Sequence, residues 1–226
     1  MKNWELLNAS SVKRGGMMKL QLALDRLTRE ECLRLARETN EYIDIIEIGT
    51  GVIKEYGMSI IREMKGEFPN KTILADMKTC DAGKAETIQA FDAGADISTV
   101  MAFSSNNTIK EALGVAQEYG KEIMIDLLEV QSRQPVAELK ELGADLVSLH
   151  VGKDNQNGKA FETKLFSLVK GLDFKVAVAG GINIELLPAI ISEKPDIVIV
   201  GSAITKEIDS EKMAMKIKKQ INQSNE

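Results

Sequence analysis

The sequence predicts an α/β protein with the architecture of a (β/α)8 (TIM) barrel, and two observations lead to this prediction. From Lys19 onward, eight short apolar runs alternate with charged segments that have helical spacing. The runs are rich in Val, Ile and Leu with little polar alternation, which is typical of strands covered on both faces of a parallel sheet. Eight such strands alternating with helices close into a barrel. The competing fold is an open doubly wound sheet, and the absence of GxGxxG after the first run weighs against it.

The apolar runs predict eight strands, at Leu20–Leu24, Ile43–Ile48, Thr72–Ala75, Ile97–Met101, Glu122–Leu127, Leu146–His150, Lys175–Ala179 and Ile197–Val200. Parallel strands need crossover connections, which are usually right-handed helices. The charged segments supply them and predict helices at Arg29–Thr39, Ile53–Gly66, Gly83–Ala93, Thr108–Tyr119, Pro135–Leu142, Phe161–Lys170, Ile184–Ser192 and Ser210–Gln220.

Two similar turn phrases support a fold built from repeated βα units. Ala93-Gly94-Ala95-Asp96 and Gly143-Ala144-Asp145 each stand between a predicted helix and the next strand. Glycine ends the helix, and the small residue after it permits a tight connection.

The length of 226 residues fits one domain, since a barrel of this class needs roughly 200 residues or more. Residues 1–17 are polar and show no periodicity, and Met17 and Met18 directly precede the first apolar run. We therefore interpret residues 1–17 as an N-terminal extension and residues 18–226 as a single barrel domain.

Composition and charge exclude several classes of function. The net charge of −5 argues against a general nucleic-acid surface, which needs an excess of Lys and Arg. No apolar run approaches the ~20 residues that cross a bilayer, and Met1–Gly16 lacks the apolar region of a secretory signal. Two cysteines and one histidine fit a reducing cytoplasm and argue against a structural zinc site. We expect a cytoplasmic protein without nucleic-acid or membrane partners.

Acidic residues stand at the ends of the first three predicted strands, where the reacting groups of such barrels lie. They are Asp25, Glu47 and Asp76. The alternative role for each is a helix cap or a solvated loop acid. Thr28 is better placed than Asp25 to cap the following helix, and glutamate is not a favoured cap. The pattern therefore favours a functional role for Glu47 and Asp76.

The segment Asp76-x-Lys78-x-x-Asp81 is the most informative in the chain. Strand alternation turns Asp76 and Lys78 to the same face, where an ion pair would keep the ammonium protonated. A fixed cation can stabilise a developing oxyanion or deliver a proton. Asp81 follows the strand, and its spacing leaves open whether it caps the next helix or serves the site.

A divalent cation and a proton-transfer group complete the predicted chemistry. Glu47 and Asp76 supply hard oxygen ligands that suit Mg²⁺, which takes one or two protein carboxylates and keeps waters. Such an ion would stabilise an enediolate. His150, the single histidine, ends an apolar strand and opens a polar loop. Its ordinary titration range suits proton transfer near neutral pH.

Glycine-containing phrases follow the last two predicted strands and indicate a phosphate site. Gly180 and Gly181 follow the seventh strand, and Gly201 and Ser202 follow the eighth. Glycine lets backbone N–H groups approach an anion closely, and these two loops often bind phosphate in such barrels. The sequence therefore predicts a phosphorylated small-molecule substrate.

Several of these motifs resemble the orotidine monophosphate decarboxylase superfamily between Met18 and about Ile221. They are Leu22-Ala23-Leu24-Asp25, Glu47-Ile48-Gly49-Thr50, the segment from Leu74 to Gly83, and Val178-Ala179-Gly180-Gly181-Ile182. The Asp-Ala-Gly that continues the DxKxxD element narrows the resemblance to the branch of 3-hexulose-6-phosphate synthases and 3-keto-L-gulonate-6-phosphate decarboxylases.

The resemblance implies a Mg²⁺-dependent aldol reaction in which formaldehyde adds to D-ribulose 5-phosphate. It also implies a role for each residue. Glu47 and Asp76 would hold the metal, Lys78 would lie beside the enediolate oxygens and His150 would transfer a proton. Substrate contacts would come from Asp25, Thr50 and Lys153, and phosphate contacts from Gly180, Gly181, Gly201 and Ser202. Asp81 would enter the site of a neighbouring subunit, so the resemblance implies a homodimer.

The identity of the sugar depends on the loop His150-Val151-Gly152-Lys153-Asp154. Its Gly152 is similar to the synthases, whereas the cationic Lys153 is similar to the arginine of the decarboxylases, although lysine lacks the bidentate fork of arginine. Three alternatives follow: the decarboxylase, which would release CO₂ and L-xylulose 5-phosphate, a non-catalytic sugar-phosphate-binding barrel, and orotidine monophosphate decarboxylase itself. Glu47 argues against the last, which usually has lysine at that strand end.

Overall fold

The computed structural model describes residues 17–155 and 161–223, which form a closed barrel of eight parallel strands. Each strand pairs with the next in chain order, and β8 returns to pair with β1. The predicted (β/α)8 barrel is therefore confirmed. The predicted N-terminal extension lies outside the described residues except for Met17, as do the last three residues of the chain.

The eight strands coincide with the eight apolar runs to within a few residues. They are β1 Lys19–Leu24, β2 Ile45–Ile48, β3 Thr72–Thr79, β4 Ile97–Met101, β5 Glu122–Asp126, β6 Leu146–His150, β7 Lys175–Ala179 and β8 Ile197–Val200. The largest difference is β3, which continues four residues beyond its predicted end at Ala75. It continues because Thr79 rejoins β4 opposite Val100 after an irregular stretch.

Nine α-helices lie within the described ranges. They are α1 Arg29–Thr39, α2 Thr50–Tyr56, α3 Met58–Glu67, α4 Gly83–Asp92, α5 Asn106–Tyr119, α6 Arg133–Glu141, α7 Leu187–Ser192, α8 Ser202–Thr205 and α9 Ser210–Gln223. Thr28 caps α1 in a capping box with Glu31, as its position predicted.

Two predicted helices are wrong in form. The segment predicted as one helix over Ile53–Gly66 is divided at Gly57, whose backbone angles (φ 62°, ψ −159°) end α2 and begin α3. The segment Phe161–Lys170 forms a 3₁₀ helix over Thr163–Leu168 instead of an α-helix. Phe161 and Phe166 pack edge to face there, with ring centroids 5.9 Å apart. The short α8 was not predicted, because its four residues are too few to show a period.

Two apolar layers hold the barrel together. The larger layer lies between the outer face of the strands and the helices, and includes Leu22, Ile46 and Val198. The smaller fills the interior with inward-facing residues: Ile45, Leu74, Ile97, Met124, Leu146, Ala177, Ala179, Ile197 and Ile199. Because these apolar residues fill the interior, the inward-facing polar residues lie at the carboxyl ends of the strands, and the site is at that end.

The amino ends of the strands carry a repeated aspartate contact, and Asp96 of the first turn phrase takes part in it. In three cases the Asp before an even-numbered strand accepts a backbone N–H near the start of the preceding strand. The pairs are Asp44 with Leu20 (2.7 Å), Asp96 with Ile73 (2.8 Å) and Asp196 with Val176 (2.7 Å). At Gly94 and Gly143 the backbone has positive φ, so both glycines end their helices as predicted.

Among the described residues, no helix combines the length and apolar character that crossing a bilayer requires.

Candidate active site

The carboxyl end of the barrel gathers a chain of ionised side chains around Lys78. Its ammonium Nζ lies 2.6 Å from Asp126 Oδ2 and 3.3 Å from Asp76 Oδ1. Burial opposes the charge on Lys78, but the carboxylates of Asp76 and Asp126 outweigh it and hold the pKa of the ammonium above its ordinary value. The predicted Asp76–Lys78 ion pair is therefore present, and Lys78 is a fixed cation.

His150 joins this chain through Asp126. Its ring Nδ1 lies 3.0 and 3.1 Å from the two carboxylate oxygens of Asp126. Burial favours the neutral form of Asp126, but the hydrogen bonds and charges of His150 and Lys78 outweigh it and hold the pKa of Asp126 well below its usual range. Asp126 thus orients both the cation and the imidazole.

No site role was predicted for Asp126, which ends β5. The signal that identifies it is register. Asp126 pairs with Met101 of β4 and Ser148 of β6, and it alternates with the interior residue Met124. It therefore points into the barrel, between the strands that carry Lys78 and His150.

Glu47 lies on the inner face of β2 and accepts a hydrogen bond from Gln21 Nε2 at 2.6 Å. Burial and then the neighbouring charge of Asp76 raise the pKa of Glu47 to about 8, although the bond from Gln21 lowers it. The two carboxylates thus repel each other in a poorly solvated place. A cation between them would relieve that repulsion.

The carboxylates of Glu47 and Asp76 suit Mg²⁺, because a cation between them would relieve their mutual repulsion. Both are hard oxygen donors, and Mg²⁺ is usually bound by one or two carboxylates with waters in its remaining positions. Within residues 17–155 and 161–223, no group of three or more His, Cys, Asp and Glu side chains is arranged to hold a metal ion. The donor set therefore suits an ion that also binds substrate oxygens, rather than a fully protein-enclosed one.

Asp76 is held by hydroxyl groups from both sides. The Thr50 hydroxyl lies 2.7 Å from the Asp76 carbonyl oxygen and 2.8 Å from Oδ2. The Thr99 hydroxyl lies 2.9 Å from Oδ1. Thr50 was predicted to contact the substrate, and its hydroxyl also contacts Asp76. Thr99 was not predicted, because it lies inside an apolar strand.

Asp25 is exposed at the end of β1, and it has a structural contact that the sequence did not suggest. Its Oδ1 accepts the backbone N–H of Gly51 at 2.9 Å, in the first turn of α2. The N-cap of that helix is Gly49, which has no side chain to accept a hydrogen bond, so Asp25 supplies the missing acceptor. Its Oδ2 lies 3.2 Å from Arg26 Nε at the rim of the barrel.

Asp81 is exposed directly after β3. Its alternative role as a helix cap is not realised, because the N-cap of α4 is Ala82 in a left-handed conformation (φ 52°) without a side-chain cap bond. The neighbouring Cys80 is exposed as well. Asp81 therefore projects from the barrel rim, away from a capping role.

The predicted phosphate residues lie at neighbouring strand ends. Gly180 and Gly181 follow β7, Gly201 and Ser202 follow β8, and the two strands pair directly. Gly180 has φ 109°, and a Cβ there would lie 2.4 Å from the carbonyl oxygen of Val151. The β7 loop therefore passes close to the loop after β6, whose exposed Lys153 begins a 3₁₀ turn.

Comparison with known proteins places these features in a family. Residues 18–217 match the family described as "Orotidine 5'-phosphate decarboxylase / HUMPS family". The chain is 42% identical over 209 residues to the 3-hexulose-6-phosphate synthase of Bacillus subtilis (strain 168). The aligned region covers 90% of this chain and 99% of that protein.

Two crystal structures extend the comparison to the fold. The 3-hexulose-6-phosphate synthase from Salmonella typhimurium has a TM-score of 0.89 at 38% identity, over 92% of this chain and 100% of that one. The 3-keto-L-gulonate-6-phosphate decarboxylase from Vibrio cholerae has a TM-score of 0.81 at 27% identity, over 92% and 99%. The resemblance found in the sequence motifs is confirmed, and this chain belongs to the orotidine 5′-phosphate decarboxylase / HUMPS family of enzymes.

Proposed function

We propose that this protein is a Mg²⁺-dependent aldehyde-lyase that joins formaldehyde to D-ribulose 5-phosphate and forms D-arabino-hex-3-ulose 6-phosphate. The observation that carries the chemistry is the fixed cation Lys78 between Asp76 and Asp126, with His150 on the far side of Asp126. The choice of substrate is supported by the synthase names of relatives at 42% and 38% identity.

The reaction begins with loss of a proton from C1 of ribulose 5-phosphate, which leaves one negative charge delocalised onto the C2 oxygen, beside the oxygen of the C1 hydroxyl. Lys78 would stabilise that charge without moving, because two carboxylates already hold its ammonium in place. His150 would hold the proton while the carbon attacks formaldehyde, and would return it to the new alkoxide. Mg²⁺, bound by Glu47 and Asp76, would supply further positive charge beside the same oxygens.

The substrate would be anchored across the barrel mouth from these groups. Its phosphate would contact the loops after β7 and β8, namely Gly180, Gly181, Gly201 and Ser202. Asp25, Thr50 and Lys153 would contact the sugar. The phosphate anchor uses binding energy away from the reacting carbon to fix that carbon beside Lys78.

The proposal includes a homodimer in the cytoplasm. An exposed Asp81 that does not cap α4 is free to enter the site of a second copy. Both cysteines are unpaired, Cys32 in the core and Cys80 at the surface, which suits a reducing compartment.

A second candidate is the decarboxylation of 3-keto-L-gulonate 6-phosphate, which passes through the same kind of enediolate. Lys153 favours it, because a cation in the loop after His150 could attract the substrate carboxylate. The 27% identical decarboxylase from Vibrio cholerae gives this candidate weaker support than the synthases give the first.

Product analysis with two substrates tests the proposal. We expect condensation of ribulose 5-phosphate with ¹³C-formaldehyde, loss of that activity with chelator, and its return with Mg²⁺. Asp76→Asn should be inactive, whereas the surface variant Glu111→Gln should keep full activity. Release of CO₂ from 3-keto-L-gulonate 6-phosphate without any condensation would favour the decarboxylase. Binding of the sugar phosphates with turnover of neither would favour a non-catalytic barrel.

A further inference from the structure

The pairing of β3 with β4 is interrupted where Asp76 and Lys78 lie. Ala75 pairs with Ser98 and Thr79 pairs with Val100, so Thr99 alone faces the three residues from Asp76 to Lys78. Lys78 has a positive φ of 49°, which a residue with a side chain rarely adopts. The bulge brings the side chains of Asp76 and Lys78 together in the barrel mouth.

The Thr99 side chain fills the gap that the bulge leaves. Thr99 is 3% exposed and lies on the inner face of β4. Its hydroxyl oxygen accepts the backbone N–H of Lys78 at 2.9 Å. The same hydroxyl lies 2.9 Å from Asp76 Oδ1. Because an amide N–H can only donate, the hydroxyl proton is available for the carboxylate, and both bonds form together.

We propose that Thr99 is a positioning residue that fixes the Asp76 carboxylate and the Lys78 backbone relative to each other. The Thr99 hydroxyl contacts both members of the ion pair: the side-chain carboxylate of Asp76 and the backbone N–H of Lys78. This role rests on the proposed function. There, Asp76 must be held in place to bind a cation, and Lys78 must be held in place to stabilise an oxyanion. Thr99 itself acts through these two residues and does not reach the substrate.

The adjacent Ser98 offers a matched control. Ser98 is fully buried, and its hydroxyl oxygen has no hydrogen-bond partner in the described structure. It lies on the outer face of the same strand, one residue from Thr99. Ser98→Ala therefore removes a buried hydroxyl from β4 without touching the site.

The test compares Thr99→Val, Thr99→Ser and Ser98→Ala with the unchanged protein. Mn²⁺ affinity is measured by electron paramagnetic resonance without substrate, and kcat and KM with ribulose 5-phosphate and formaldehyde. For Thr99→Val we expect Mn²⁺ affinity and kcat each to fall roughly tenfold to a hundredfold, as for other groups that orient metal ligands. KM should change little, because the phosphate loops lie on other strands. Thr99→Ser should restore both values, and Ser98→Ala should match the unchanged protein.

Two results would overturn the proposal. One is normal Mn²⁺ affinity and kcat in Thr99→Val. The other is an equal loss in Thr99→Val and Ser98→Ala, which would show that β4 tolerates no change in packing.

Failure of the proposed function is recognised separately, by absence of Mn²⁺ binding in the unchanged protein. Crystal structures of the unchanged protein and Thr99→Val then decide on Thr99. A displaced Asp76 carboxylate or a relaxed Lys78 backbone supports the positioning role, and identical geometry refutes it.

Discussion

Lys78 Nζ and Asp126 Oδ2 lie 2.6 Å apart, and the same carboxylate receives the His150 ring at 3.0 Å. Asp126 is 2% exposed, so this is a buried carboxylate shared by a cation and an imidazole. Its charge-assisted hydrogen bonds are stronger than bonds between neutral groups. Asp126 therefore links Lys78, which would stabilise negative charge, to His150, which would carry the proton.

Asp126→Asn should therefore impair catalysis more than binding. The amide keeps the shape of the side chain but removes the charge that balances Lys78. It also replaces one of the two carboxylate oxygens beside His150 with an NH₂ group, which cannot accept a hydrogen bond. We expect kcat to fall about 10²–10³-fold, within the range found for misplaced acid–base and electrostatic groups. Steady-state kinetics checks this, with Glu111→Gln as a surface control. A normal kcat with raised KM would instead place Asp126 in substrate binding.

The raised pKa of Glu47 predicts an unusual dependence of stability on pH in the metal-free protein. In the unfolded chain Glu47 has its ordinary pKa of 4.5, whereas in the folded protein its pKa is about 8. Folding therefore takes up a proton between these values, so the contribution of Glu47 to stability falls as pH rises from about 4.5 to 8 and then levels off.

Glu47→Gln cannot ionise and should lack this fall. In chelator at about pH 9, we expect the variant to exceed the unchanged protein in unfolding free energy by on the order of a few kcal/mol. The difference should shrink towards about pH 5. Urea unfolding measures it, with Glu111→Gln as the control for loss of an exposed carboxylate. Parallel pH profiles for Glu47→Gln and the unchanged protein would refute the prediction. Mg²⁺ should stabilise the unchanged protein more than the variant, because it binds the folded state.

Strand positions were the most predictable part of the fold, for a physical reason. A barrel strand is covered by helices outside and by its neighbours inside, so its sequence is an apolar run that needs no further context. The polar residues at strand ends could be predicted too, because Glu47, Asp76 and His150 interrupt or end such runs. The roles of inward-facing polar residues within strands were harder to predict. Gln21, Thr99 and Asp126 acquire meaning only when the register shows which side chains they face.

Helix breaks were harder to predict than strands. A glycine inside a periodic segment is tolerated, so the periodicity over Ile53–Gly66 gave no sign that Gly57 divides it. The bulge in β3 was also invisible, since simple alternation predicts the same common face for Asp76 and Lys78. The prediction of the ion pair was correct, although the backbone that forms it is irregular.

Two glycine-to-alanine changes should shift stability in opposite directions. Gly57 has φ 62° and ψ −159°, a region that is essentially restricted to glycine, so alanine should destabilise the fold by about 1–3 kcal/mol. Gly114 lies inside α5 with no atom within 4 Å of an added Cβ. Alanine there should stabilise the fold by up to about 1 kcal/mol, through its better helix propensity. Thermal unfolding of both variants checks the signs, and a stabilising Gly57→Ala would show that the junction is not strained.

The position of Asp81 leads to the sharpest prediction for the homodimer. Asp81→Ala and Asp76→Asn should each be nearly inactive as pure proteins if every site needs Asp76 from one subunit and Asp81 from the other. When the two variants are unfolded together and refolded, about half of the dimers should be mixed, and each mixed dimer has one site with both residues intact. Activity should therefore return to about a quarter of the unchanged level. If Asp81 served its own subunit, neither subunit of a mixed dimer would have a complete site, and the mixture would remain inactive.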